Sequence, residues 1–271
     1  MREPFAAGYF YPADRKELKA VIRDFLSTAK VSKGRWVAAI SPHAGYAYCG
    51  RVMASVYGSL PEFETAVIIG PSHSGEGTVS VSDEPWRTPL GPAEVDRELA
   101  EALGFKVDPA PHAREHSVEV QVPWIQYLFP DAKILPVVLN PGVFSELSIP
   151  LGRKIAECAE VSGRKVVVVA SSDFSHIGAA YGMPIYSPER ELRAAEETDR
   201  KVVEAAVNLE PERVLELGSG TTACGYGCAA SASEFARKTG ASGGRILDRA
   251  TSFEVSGDLS AVVFYWGAVM G

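Results

Sequence analysis

Four short runs of nearly unbroken aliphatic residues constrain this chain more than any other feature: Trp36 to Ile40, Ala66 to Ile69, Ile134 to Leu139 and Lys165 to Ala170. A strand with one wet face alternates apolar and polar residues, whereas a strand buried on both faces reads as a continuous apolar run. Runs of this kind, separated by stretches with helical spacing, predict a sheet sandwiched between helices. Asp14 caps a predicted helix running to about Lys30, with Leu18, Val21, Ile22 and Phe25 on its apolar face. Further helices are predicted at about 50–59, 93–103, 117–129, 145–160, 188–208, 211–217 and 225–239. Strand pattern returns at 245–254 and 259–267, with Gly257-Asp258 as the turn. No repeat, low-complexity tract or Gly/Ser/Pro-rich linker divides the 271 residues, so the expectation is one α/β domain over 1–271. Its sheet is mostly parallel or mixed, with helices on both faces.

Three of the strand runs lead into a histidine. The first continues as Ser41-Pro42-His43-Ala44-Gly45-Tyr46, the second as Gly70-Pro71-Ser72-His73-Ser74, and the last as Ser171-Ser172-Asp173-Phe174-Ser175-His176. The carboxyl ends of parallel strands lie on one edge of the sheet, and ligands bind in the crevice there. His43, His73 and His176, spread over more than 130 positions, are therefore expected at one place, with Asp173 beside them. Thr221-Thr222-Ala223-Cys224-Gly225 precedes a helix, where unpaired N–H groups favour a thiolate at Cys224. Cys228, one turn further on, and Cys158, inside an amphipathic helix, read as core, while Cys49 borders the first histidine loop. His112 and His116 have the i,i+4 spacing of paired helical ligands. Pro111 and Ser117 nevertheless mark a loop entering a helix, with His116 in its first turn and Glu119 able to orient it or reach the crevice, and both are expected among the pocket residues.

Bulk properties exclude several classes. A net charge of −7 and a pI near 5.4 leave no basic surplus for nucleic acid or an anionic membrane. The longest apolar run is far too short to span a bilayer, and Met1-Arg2-Glu3-Pro4 is not an apolar signal, so a cytoplasmic location is expected. Four cysteines do not make a disulfide framework at this length. Two Asn and two Gln in the whole chain point to a thermophilic source. No phosphate-binding glycine loop follows any strand, so no nucleotide cofactor is expected, and there is no Gly-x-Ser-x-Gly elbow.

The strings Pro42-His43-Ala44-Gly45-Tyr46, Gly70-Pro71-Ser72-His73, Glu115-His116-Ser117-Val118-Glu119, Ser171-Ser172-Asp173-Phe174-Ser175-His176 and Thr222-Ala223-Cys224-Gly225, taken in order, resemble the Memo family. Its prokaryotic members are also called AmmeMemoRadiSam system protein B. That family is similar in fold to the class III extradiol dioxygenases, which hold non-haem Fe(II) on two histidines and a carboxylate. The resemblance implies His43 and His73 as metal ligands with Cys224 in the third position, His176 as acid/base and Asp173 beside it. It also implies Phe10 and Tyr48 as pocket aromatics. A thiolate in place of the carboxylate shifts the metal preference toward copper, zinc or thiolate-tolerant iron. The family name further implies an AMMECR-type protein and a radical-SAM protein as partners.

Three functions compete at this stage. One is a metal-dependent redox or dioxygenase-like enzyme using Fe(II) or copper. The second is a non-catalytic module that captures a peptide or small ligand in the same crevice, using the aromatics Tyr9, Phe10, Tyr46 and Tyr48. The third is a cysteine hydrolase built on Cys224, His176 and Asp173.

Overall fold

The structure, a computed structural model, describes residues 1–271. Eleven strands form in chain order. The first six are β1 (Ala38–Ser41), β2 (Thr65–Pro71), β3 (Val79–Val81), β4 (Trp86–Thr88), β5 (Gly91–Ala93) and β6 (Lys106–Val107). The remainder are β7 (Lys133–Leu139), β8 (Val166–Ser171), β9 (His176–Ile177), β10 (Gly244–Thr251) and β11 (Val262–Met270). The main sheet runs β10-β11-β1-β8-β2-β7-β3-β6, with β9 pairing β11, and β4 and β5 form a separate hairpin. β1, β8, β2 and β7 are mutually parallel, and β11 and β3 join that block antiparallel on either side. The four parallel strands are the four aliphatic runs, and every residue of β1, β2 and β8 is buried. The mixed α/β architecture expected from the sequence and from the dioxygenase-like resemblance is the one observed.

Helices cover both faces. The first five are α1 (Arg15–Leu26), α2 (Tyr46–Ser59), α3 (Arg97–Leu103), α4 (His116–Glu119) and α5 (Val122–Leu128). Then come α6 (Phe144–Ser162), α7 (Pro188–Val207), α8 (Pro211–Gly218), α9 (Tyr226–Lys238) and α10 (Ser252–Ser256). α2 packs on β1, β10 and β11 together with α1 and α5, while α9 lies on β1, β2 and β8 with α6, α7 and α8 around it. Asp14 caps α1 as expected, its carboxylate accepting from the Lys16 and Glu17 N–H groups, but the helix stops at Leu26.

Three local expectations are corrected. The helix expected at 117–129 is two, because Pro123 has no N–H to continue the ladder from α4 and instead opens α5. The strand expected at 245–254 ends at Thr251, whose hydroxyl accepts from Glu254 N–H and starts α10; Gly257, at φ +67°, ends that helix. The strands β3, β4, β5, β6 and β9 are two or three residues long and carry too little periodicity to be read from sequence. No helix is long and apolar enough to cross a membrane.

Candidate metal centre

The carboxyl ends of β1, β2 and β8 open into a crevice of about 470 Å³ lined by His43, His73, His116, Asp173 and His176, with Phe10, Tyr48, Tyr181 and Tyr265 on its walls. His43 follows β1 and His73 follows β2, as the strand-end argument expects. His116, expected in the first turn of a helix and among the pocket residues, is the first residue of α4 and joins them. One ring nitrogen from each of His43, His73 and His116 lies within 4.8 Å of the other two. The ring centroids of His73 and His116 are 4.3 Å apart, and His43 meets the two edge-on at 5.3 and 5.5 Å. A glycine makes this approach possible. A Cβ on Gly70, in β2, would fall 2.3 Å from Ser117 Oγ and 2.8 Å from Val118, so only Gly lets α4 press against that strand.

Hydrogen bonds fix which nitrogen faces the cluster. Ser171 Oγ donates its single proton to Ser117 O at 2.6 Å, so His43 Nδ1, at 2.9 Å from the same hydroxyl, must be the donor. The Nε2 lone pair of His43 thereby faces away from Ser171, with Cys224 Sγ 3.2 Å from it. His73 Nδ1 donates to Glu115 Oε1 at 2.8 Å, and the other carboxylate oxygen accepts His73 N–H at 2.8 Å. Burial works against the Glu115 charge, but the hydrogen bonds from His73 and Ser117 win and hold its carboxyl down at about 2. A carboxylate behind an imidazole is the usual way a ligating histidine is oriented and made more basic. His116 is held neutral at ordinary pH: burial first, then His43 and His73, push its imidazole down to about 4. Burial drives His43 down as well, with His73 adding to the effect. Three imidazoles, each bringing one ring nitrogen to within 4.8 Å of the other two, form a donor set that suits a borderline transition metal.

Asp173 is buried and accepts His43 N–H at 2.7 Å; burial raises its carboxyl above the usual range. It does not orient His176, contrary to the expectation. His176 Nδ1 instead lies 3.1 Å from Thr222 O. Cys224 touches the cluster only through His43 and does not line the crevice. The surroundings also work against the expected thiolate. Cys224 precedes Gly225, the N-cap of α9, rather than lying in the helix, and burial together with Asp173 pushes its thiol well up. Gly225 lets this segment sit on β8, since a Cβ there would come within 2.4 Å of Ser171 O.

Two other expected pocket residues lie elsewhere. Tyr46 is buried, donates to Val120 O at 2.7 Å and packs between Tyr11 and Trp124. Glu119 is fully buried, with its carboxylate taken up by Arg2, the Phe5 and Ala6 N–H groups and Tyr11 Oη at 2.6 to 2.9 Å. It clamps the N-terminal arm, which in turn lays Phe10 on His116 at 4.6 Å between centroids. Phe10 and Tyr48 do line the crevice. Sequence reasoning passed over Glu115. The signal available was its place directly before His116, at the mouth of a helix that begins on the sheet edge.

The fold and these three imidazoles define an α/β protein with a candidate metal centre at the carboxyl edge of its sheet. The model of the Memo-like protein family matches residues 2–269, and the chain belongs to that family. It is 41% identical over 272 residues to a MEMO1 family protein of Methanosarcina barkeri, with 98% of each chain covered. A MEMO1 family protein of Archaeoglobus fulgidus is 40% identical over 276 residues, with 99% of each covered. Among solved structures, an uncharacterized protein of Escherichia coli K12 superposes with a TM-score of 0.54 at 13% identity. That match covers 87% of this chain and all of the other, and speaks for the fold alone.

Proposed function

We propose that this Memo-family chain is a metal-dependent protein that holds iron(II) or copper on His43, His73 and His116, with Cys224 as a further donor beside His43. In this reading it carries out redox or dioxygenase-like chemistry on a small substrate in the crevice. The observation that carries the reading is the convergence of three imidazoles, two of them with their Nδ1–H already committed to Ser171 and Glu115. Such a metal supplies Lewis acidity and, for iron or copper, one-electron chemistry. The chain's own residues do the rest. Phe10, Tyr48, Tyr181 and Tyr265 wall the crevice against bulk water. His176 also lines the crevice, with Nδ1 turned to Thr222 O and Nε2 available to take a proton from a bound hydroxyl. A Cys224–His176–Asp173 hydrolase triad is not assembled, because the thiol meets His43 and His176 turns to Thr222.

Elemental analysis of chain purified without chelator tests the proposal: wild type is expected to carry stoichiometric iron or copper, and His73→Ala none. Equal, near-zero metal in both after anaerobic reconstitution contradicts it. A second reading, a ligand-binding module without turnover, draws support from the half-exposed Tyr48 and Tyr181 at the crevice mouth. It requires saturable ligand binding that survives chelation.

A further inference from the structure

His176 is gripped by one residue on a different loop. Thr222 Oγ1 accepts His176 N–H at 2.7 Å and donates back to His176 O at 3.1 Å, while Thr222 O lies 3.1 Å from His176 Nδ1. A carbonyl oxygen can only accept, so Nδ1 must carry the proton. Nε2, for which the protein offers no hydrogen-bond partner, is then an unprotonated lone pair. A free imidazole in water prefers the opposite tautomer, with the proton on Nε2, so the fold imposes the less common form.

The grip is itself braced from both sides. Ser175, the preceding residue, gives its N–H and its hydroxyl to the fully buried Asp199 at 3.0 and 2.7 Å. His176 and Ile177 form β9 and pair antiparallel with Val263 and Val262 of β11. On the other loop, Cys224 N–H donates to Asp173 O at 3.3 Å and Gly225 N–H to Ser172 Oγ at 3.2 Å. With its backbone fixed this way, His176 keeps only its two side-chain torsions, and the contact of Nδ1 with the Thr222 carbonyl favours the observed pair. Tyr181 closes the remaining side, edge-on at 5.2 Å.

We propose that Thr222 is a positioning residue that locks His176 in the Nδ1–H tautomer, so that its Nε2 meets a bound molecule as a proton acceptor. The ligand facing His176 should accordingly present a proton, as a hydroxyl or N–H group, rather than a bare carbonyl or carboxylate oxygen. This rests on the reading of the crevice as a reaction site, but the tautomer can be measured whether or not metal binds or turnover occurs.

The experiment is long-range 1H–15N correlation of the 15N-histidine-labelled full chain at neutral pH with chelator present. His176→Asn assigns the signals, and His112, remote from the clasp, serves as the internal reference for folding. In wild type, His176 should show one tautomer, with the proton on Nδ1. Thr222→Ser, which keeps the hydroxyl, should retain that pattern. Thr222→Val, which removes both hydroxyl bonds and frees the carbonyl to move, should lose it in favour of an averaged or Nε2–H pattern while the His112 signals stay put. A wild-type His176 protonated on Nε2 overturns the proposal, as does a Thr222→Val chain whose His176 is unchanged. Should Thr222→Val fail to fold, the wild-type tautomer and its retention in Thr222→Ser decide the matter by the same criteria. If the tautomer is as stated but no metal is ever bound, the proposed function fails and the clasp stands.

Discussion

The two walls of the crevice are built on different principles. On the β2–α4 wall, His73 is backed by a buried carboxylate, Glu115, which also lies 3.7 Å from His116. On the β1–β8 wall, His43 is backed by the hydroxyl of Ser171 and His176 by the carbonyl of Thr222. An anion behind an imidazole raises its basicity and its strength as a ligand, whereas a neutral acceptor fixes orientation without adding charge. The first wall is thus suited to holding a cation firmly and the second to presenting lone pairs of set direction. Five substitutions probe that contrast.

The largest effect is expected on the anionic wall. Glu119, at the far end of α4, pairs with Arg2 deep in the protein. Glu119→Ala strands the Arg2 guanidinium and releases the arm that carries Phe10, and loss of one partner of a buried pair costs about 3–5 kcal/mol. Chemical denaturation should show a loss of that size in the metal-free protein. On the neutral wall the matching disruption is Gly225→Ala, which drives a methyl into Ser171 O. Overpacking of this kind costs about 1–3 kcal/mol, and here it should also weaken metal binding by moving Ser171 from His43. Unchanged stability would show that the two loops are not seated on β8 as described.

Glu115→Gln is the direct comparison. It keeps the shape and an acceptor oxygen behind His73 but removes the charge, and second-sphere changes of this kind cost about 10–100-fold in metal affinity. Competition titration against a chelator of known affinity should show that loss, and Ser171→Ala a smaller one. The reverse ranking would make the contrast between the walls wrong. The smallest effect at neutral pH is expected from His112, behind the α4 wall. Burial, and then the Arg2 cation, push its imidazole down to about 4. The folded chain leaves it neutral while the unfolded chain takes up a proton below about pH 6.5, so this group's contribution is flat above that pH and subtracts stability as pH falls toward 4. His112→Gln should leave stability at pH 7 little changed and make the acid loss shallower, as urea denaturation at pH 7 and pH 5 would show.

The same contrast explains what the sequence made legible. The neutral wall follows from one rule, that residues directly after parallel strands share an edge, which placed His43, Asp173 and His176 there and His73 across from them. The anionic wall depends on how a four-residue helix meets β2, and that meeting is set by the missing side chain of Gly70. No periodicity records it, so His116 was expected in the pocket but not as the third imidazole of the cluster, and Glu119 was preferred to Glu115 as the orienting carboxylate. The protonation of Cys224 was misjudged for a different reason. A cysteine before a helix suggested a thiolate, but burial and the neighbouring Asp173 outweigh the helix terminus, and neither is visible in a linear string. The long strands and helices were legible because their burial pattern is local, and the two- and three-residue strands were not because they have none.

Metal content of anaerobically reconstituted His116→Ala and Cys224→Ala chains, measured beside wild type, tests the central claim most directly. Convergence of three imidazoles on one point predicts that His116→Ala loses the metal while Cys224→Ala retains most of it. Full metal in His116→Ala, with none in Cys224→Ala, would contradict the trihistidine centre and return the third ligand position to the thiol.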